Sequence, residues 1–315
     1  MRIVYFGTPG PSAEILKLLL EQKYEIICVV TQPDRPRGRG QKLSFSPVKE
    51  VALRYGLPLE QPEEVKNNAV FRSYLESLGF DLGIVVAYGK ILPKEILAIP
   101  RLGFINVHAS LLPKYRGAAP IQWALLKGEE ETGVTIFKLT ELLDAGPILA
   151  QKKLKIEEDD NAETLTRKLF ALGGELLLES LPKLEKGEAE FIPQNEAEVT
   201  FAPSLTKESG EIDWHKSALE IHNRVRALYP WPTAHTFYRG KRLKILKTKA
   251  TVPDLKVKLK LPGTILEIIK EEGFVVATGA GNLLVLEVLP EAGKRMKACD
   301  FVWGYGLEVG EVLPS

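Results

Sequence analysis

The sequence predicts an α/β chain with a mostly parallel sheet in its amino-terminal part and a small β-barrel after it. Three observations lead there. Short apolar runs alternate with helical patterns from residue 3 to residue 184, polar Pro-containing sequence interrupts that rhythm between residues 187 and 206, and several short strand-like runs follow at close spacing. At 315 residues the chain exceeds one typical small domain, so a division into 1–187, a linker at 188–206 and 207–315 is expected.

Residues 3–6 read as a buried strand, residues 12–22 as the helix that follows and residues 26–31 as the second strand, a βαβ rhythm that calls for parallel pairing. Ser46 as N-cap, Pro47 in the first turn and Gly56 past the end mark the next helix. Strands are expected at 82–87, 104–108, 134–139 and 148–156, with a helix at 121–127. Residues 162–184, apolar at helical spacing, close the first domain. Beyond the linker a helix at 213–228 precedes strand-like runs at 243–246, 263–269, 273–278 and 283–288, which suggest the barrel.

Composition excludes several classes. The net charge is +1, but from residue 205 onward 17 Lys and Arg face 13 Asp and Glu, so the positive excess lies late. Cys28 and Cys299 stand far apart with no Cys/His cluster, which suggests neither a disulfide framework nor a zinc site and fits a reducing cytoplasm. The chain opens on a strand without a basic and apolar leader, and no apolar run approaches a membrane span. Pro9 and Ser12 occupy the places of the later glycines of a dinucleotide fingerprint, and residues 31 and 32 are not acidic, so a nicotinamide dehydrogenase is not expected. Trp214 and Trp303 read as packing residues, and Trp231, between two prolines, as core or interface packing.

The chemistry concentrates between Gly103 and Pro120. Side chains alternate along a strand, so Asn106 and His108 point the same way, roughly 7 Å apart, as two donors for an oxygen that gains negative charge. Acyl or formyl transfer follows from that pairing. Asp144, in a turn after the next strand, is expected at the same sheet edge, where its carboxylate orients His108, favours the imidazolium and relays a proton through water. A plain polar pair at a strand end, and an Asx turn at Asp144, are the bland alternatives. Ser110 lies outside a nucleophile elbow, so Ser110-Leu-Leu-Pro113 reads instead as a wall for a flat ligand.

Two basic segments point to a polyanion. Arg35, Arg37, Arg39 and Lys42 face one acid, Asp34, in a Gly-containing loop. Residues 238–260 carry nine Lys and Arg against Asp254, which suits either a basic barrel face for RNA or a solvated edge strand guarded by lysines.

With these residues in view, the chain resembles the methionyl-tRNA formyltransferases. The resemblance rests on Asn106-Val-His-Ala-Ser-Leu-Leu-Pro113, Arg116-Gly-Ala-Ala-Pro-Ile-Gln122, Glu131-Thr-Gly-Val-Thr-Ile136, Asp144-Ala-Gly146 and Thr31-Gln-Pro-Asp-Arg-Pro36, and spans nearly the whole sequence. It implies a Rossmann-like formyltransferase domain and an oligonucleotide-binding (OB-like) barrel that grips tRNA. It also implies transfer of a formyl group from 10-formyltetrahydrofolate to methionyl initiator tRNA for translation initiation, without a metal or an obligate protein partner. Asn106, His108 and Asp144 match the family's catalytic positions. Ser110, Leu111, Leu112 and Pro113 match its folate-binding loop, and Arg35, Arg37, Arg39 and Lys42 fall in the loop that enters the acceptor stem. Leu142 stands where a glycine is common, and Gly10-Pro11-Ser12 departs from the usual sequence after Gly-Thr-Pro. A sugar-nucleotide or purine-precursor formyltransferase, or a formyltetrahydrofolate hydrolase, would share the donor chemistry; a non-catalytic RNA-binding protein would have no use for the three polar groups.

Overall fold

The computed structural model describes residues 1–37, 42–251 and 260–314. Contacts divide the chain into two units: Met1–Pro120 with Glu131–Lys155 and Thr166–Ala202, and Ile121–Glu130 with Ile156–Leu165 and Pro203–Ser315.

The opening βαβ pattern is β1 (Arg2–Gly7), α1 (Gly10–Glu21) and β2 (Glu25–Val30), with β1 and β2 parallel. Next, β3 (Arg35–Arg37) and β4 (Lys42–Ser44) pair antiparallel with each other. The helix α2 (Pro47–Arg54) begins as its residues dictate: Ser46 Oγ accepts the Lys49 N–H at 3.0 Å, and Pro47 lacks only an amide hydrogen that the first turn leaves unpaired anyway. There follow β5 (Leu59–Glu60), α3 (Ala69–Leu78), β6 (Leu82–Val86), α4 (Lys94–Leu97), β7 (Phe104–His108), α5 (Pro120–Leu126), β8 (Glu131–Lys138), β9 (Ile148–Lys155) and α6 (Ala162–Lys186).

Among the described residues the sheet order is β5-β2-β1-β6-β7-β8-β9. It is parallel from β5 through β7 and antiparallel from β7 through β9. Crossover helices cover both faces of the parallel strands, which is why Ile3, Val4, Tyr5 and Phe6 are all fully buried rather than alternately so. Because β8 runs against β7, it exits beside the amino end of β7, where Leu139 N–H donates to the Phe104 carbonyl at 2.8 Å. The turn that carries Asp144 therefore does not start from the carboxyl edge of the parallel strands, as the sequence reading expects; the antiparallel course of β8 sends it out at the other end.

The second unit carries α7 (Ala218–Leu228), β10 (His235–Tyr238), β11 (Lys241–Thr251), β12 (Ile265–Ile269), β13 (Gly273–Ala277), β14 (Asn282–Pro290), β15 (Met296–Lys297) and α8 (Ala298–Tyr305). Its antiparallel sheet, of the small-barrel kind, runs β10-β11-β14-β13-β12, with β15 on β14. Register shifts around Lys247 bend β11 and change its phase: Leu243 and Ile245 face the core before the shift, Thr248 after it. The core gathers Trp214, Phe274 and Phe301. Packing thus holds for Trp214 but not for Trp303, which is 80% exposed because α8 turns Cys299, Phe301 and Val302 inward on its other face. Trp231 is likewise more than half exposed. No helix among the described residues is long and apolar enough to cross a membrane.

Candidate active site

Strand β7 positions two of the predicted groups. Asn106 sits between Val85 of β6 and Phe137 of β8, and His108, two residues on and on the same face, pairs with Thr135. His108 is 6% exposed and its Nδ1 lies 3.7 Å from Asp144 Oδ2; Asp144 is itself nearly buried. The imidazole and the carboxylate thus meet, although 36 positions separate them. The half-buried Asn106 amide has no hydrogen-bond partner among the described residues.

Both ring nitrogens of His108 face protein acceptors. Nε2 donates to the Tyr115 carbonyl at 3.0 Å, so it carries a hydrogen, and Nδ1 faces the carboxylate. Asp144 Oδ2 accepts the Gly117 N–H at 2.8 Å. Gly117 can have no side chain, because a Cβ would sit 2.7 Å from the Ala202 carbonyl oxygen, with φ at +125°. Asp144 itself adopts the left-handed conformation, φ +48°, which aspartate tolerates better than most residues. Leu142 needs no positive φ, so a glycine is not required there; its side chain is exposed.

The Ser110–Pro113 stretch is braced from the neighbouring strands. Thr135 Oγ1 donates to the Ser110 carbonyl at 2.6 Å and accepts the Leu112 N–H at 3.0 Å, while Gln151 Nε2 reaches the Leu112 carbonyl at 2.8 Å. Ser110 is fully buried and its hydroxyl donates to the Lys114 carbonyl at 2.6 Å, which leaves it no nucleophilic role. Leu112 faces the core, whereas Leu111 and Pro113 are half-buried. Ser110→Ala is expected to cost about 1 kcal/mol of stability, as one buried hydrogen bond lost, with at most a fewfold change of rate from the loosened 110–113 stretch; a loss of turnover by orders of magnitude would restore the nucleophile. Thermal unfolding and initial rates decide it.

The predicted basic residues are placed less fully. Arg35 is exposed on β3, Arg37 and Lys42 stand in β3 and β4, and Arg39 lies outside the described residues, as do Lys256 and Lys258 of the second basic segment. Asp34, the one acid of the loop, pairs with Lys49 and Gln61, and the Lys49 bond holds its carboxyl below the usual range. Strand β11 is bonded to β14 from Leu243 to Thr251 but to β10 only from Lys241 to Lys244, so exposed Lys241 stands where β11 has a neighbour in β10, while exposed Lys247 and Lys249 lie beyond that pairing.

Sequence reasoning missed Arg116 and Gln194. Arg116, quoted above as part of a family signature, is 5% exposed and bonded to Gln194 and Glu196. Residues 192–202, expected as surface linker, pair with the site instead: Ile192 with Ile148, Thr200 and Ala202 with Arg116.

Residues 1–181 match the formyl transferase family and residues 204–306 its carboxy-terminal domain. A methionyl-tRNA formyltransferase from Caldanaerobacter subterraneus subsp. tengcongensis is 47% identical over 99% of this chain and 100% of its own length. The chain belongs to the methionyl-tRNA formyltransferase family. A second member, from Thermosynechococcus vestitus, is 48% identical over 100% of this chain and 99% of its own. Among solved structures, the N-formyltransferase from Helicobacter canadensis, in complex with folinic acid and dTDP-3-aminofucose, shares the fold with a TM-score of 0.67 at 19% identity, over 90% of this chain and 98% of its own. HypX from Aquifex aeolicus does so with a TM-score of 0.66 at 20% identity, over 99% of this chain, which spans 48% of HypX. As a methionyl-tRNA formyltransferase family member, the chain brings together the Asn-x-His strand and the distant aspartate in one site.

Proposed function

We propose that Asn106, His108 and Asp144 carry the reaction of this enzyme, which transfers a formyl group from 10-formyltetrahydrofolate to the α-amine of methionyl initiator tRNA. The observation that supports the assignment is the approach of Asp144 to His108, with the Asn106 amide on the same strand face and without a partner among the described residues. Attack of the amine on the formyl carbon places negative charge on the formyl oxygen, and collapse releases the folate nitrogen. Asn106 donates to that oxygen as its charge grows. His108, held between Asp144 and the Tyr115 carbonyl, joins by exchanging that carbonyl for the oxyanion. Asp144 takes up the proton leaving the amine, through water, and passes it toward the departing nitrogen.

Ser110, Leu111, Leu112 and Pro113 are proposed as the wall against the folate, with Thr135 and Gln151 bracing it. Arg35, Arg37, Arg39 and Lys42, together with the outward lysines of β11, are proposed to meet tRNA phosphates. The pairing of Asp34 with Lys49 supports that reading, because it takes up the one acid in the loop's own sequence. On this reading 1–187 is the catalytic domain, 188–206 the connection, with its residues 192–202 packed on the catalytic domain, and 207–315 the tRNA-binding barrel, in a cytoplasmic enzyme.

The test offers formyl-labelled donor with charged initiator tRNA, charged elongator methionine tRNA or an amino-sugar nucleotide in turn. Label on initiator tRNA is the expected outcome, and label on the sugar nucleotide overturns the assignment. Arg39→Ala is expected to weaken tRNA binding and lower the slope of log K against log salt by about 1, with folate affinity unchanged. An unaltered slope removes Arg39 from the interface.

A further inference from the structure

We propose that Gln194 is a positioning residue for the formyl transfer, setting the Asp144 carboxylate against His108; this rests on the role assigned to Asp144 above. Strand β8 delivers the Asp144 turn from the amino end of β7, so the chain's own course does not hold the carboxylate at His108. Gln194 does. Its Nε2 donates to the carbonyls of Asp144 and Gly146, each at 2.7 Å, and grips the turn on both sides of Ala145. Its Oε1 accepts from Arg116 Nε at 3.1 Å and Nη2 at 2.8 Å. Two donors and two acceptor sites are all that a carboxamide has, and all four are engaged.

The Arg116 end is anchored in turn. The guanidinium, nearly buried, forms a second pair of bonds with Glu196, at 2.8 and 3.2 Å. Its backbone is pinned by Thr200 and Ala202, and the Thr200 hydroxyl accepts the Tyr115 N–H at 2.8 Å. Tyr115 supplies the carbonyl bonded to His108 and Gly117 the N–H bonded to Asp144. Gln194 therefore joins the two loops that hold the catalytic imidazole and carboxylate, and its amide fixes their separation. Gly146 is glycine because a Cβ there would fall 1.7 Å from the Lys138 carbonyl oxygen; that close approach brings its own carbonyl to Gln194.

Gln194→Glu separates positioning from simple bracing. The glutamate keeps the length and the oxygen that faces Arg116, but sets an acceptor against two carbonyls. Gln194→Met, of similar length, removes both sets of bonds. Each is expected to lower kcat about 10- to 100-fold, the size of a catalytic group displaced by roughly an ångström, with KM for both substrates nearly unchanged. A residue that only braces the fold through Arg116 would leave Gln194→Glu at wild-type turnover, and that result overturns the proposal, as does failure of both variants to fold. The double variant with Asp144→Asn is expected to be no slower than Asp144→Asn alone, since Gln194 acts through that carboxylate. Losses that multiply sink the positioning role and leave Asp144 standing. An Asp144→Asn enzyme with full turnover removes the assignment of Asp144 itself, and this proposal with it.

Discussion

Asn106→Ala is expected to lower turnover by about 10²–10³, the effect of removing one preorganised donor from a developing oxyanion, with affinity for methionyl-tRNA nearly intact. The asymmetry of the site is the reason. Both nitrogens of His108 face protein acceptors, the Tyr115 carbonyl and the Asp144 carboxylate, whereas the Asn106 amide has no partner among the described residues. In the proposed mechanism the first donor for the substrate carbonyl is therefore Asn106, held between two strands. Asn106→Asp retains the shape and removes the donor, and should fall at least as far because like charges repel. Single-turnover rates with saturating folate, alongside filter binding of tRNA, separate the chemical step from binding. Wild-type turnover in the alanine variant would show that the oxyanion is stabilised elsewhere.

How much of this was legible in the sequence depends on the reach of each contact. The βαβ rhythm, the Ser46 cap and the 104–108 strand were legible because alternation, capping and turn residues act within a few positions. The common face of Asn106 and His108 follows from the same two-residue period. The direction of β8 was not legible, since a strand's apolar pattern reads alike in both senses, and with it went the path of the Asp144 turn. Gln194 was invisible for a related reason. Its partners are 48 to 78 positions away and include two backbone carbonyls, which leave no mark on the residue pattern, so its segment reads as polar linker. The phase change in β11 was not legible, since the short apolar run of Leu243, Ile245 and Leu246 does not mark the shift around Lys247. The exposure of Trp303 had no sequence signal, because only the packing of α8 decides which of Phe301, Val302 and Trp303 faces out.

Asp144→Asn should reduce kcat by about 10²–10⁴, the range for a positioned acid or base, with KM for both substrates changed little. The substitution isolates charge from geometry. Asparagine keeps an oxygen for the Gly117 N–H and leaves the backbone carbonyl that Gln194 holds, so the turn and its two tethers survive. What it removes is the anion 3.7 Å from His108 Nδ1, the carboxylate that takes the amine's proton in the proposed sequence of steps. Asp144→Ala removes the Gly117 bond as well, and the difference between the two variants measures the share due to orientation alone. If that share is small, the alanine and asparagine enzymes are equally slow. A large difference would assign the residue chiefly to holding the 115–119 loop. Turnover of the asparagine variant within a fewfold of wild type would end the proton-transfer role, because no rearrangement of a neutral amide supplies a base of comparable strength at that place.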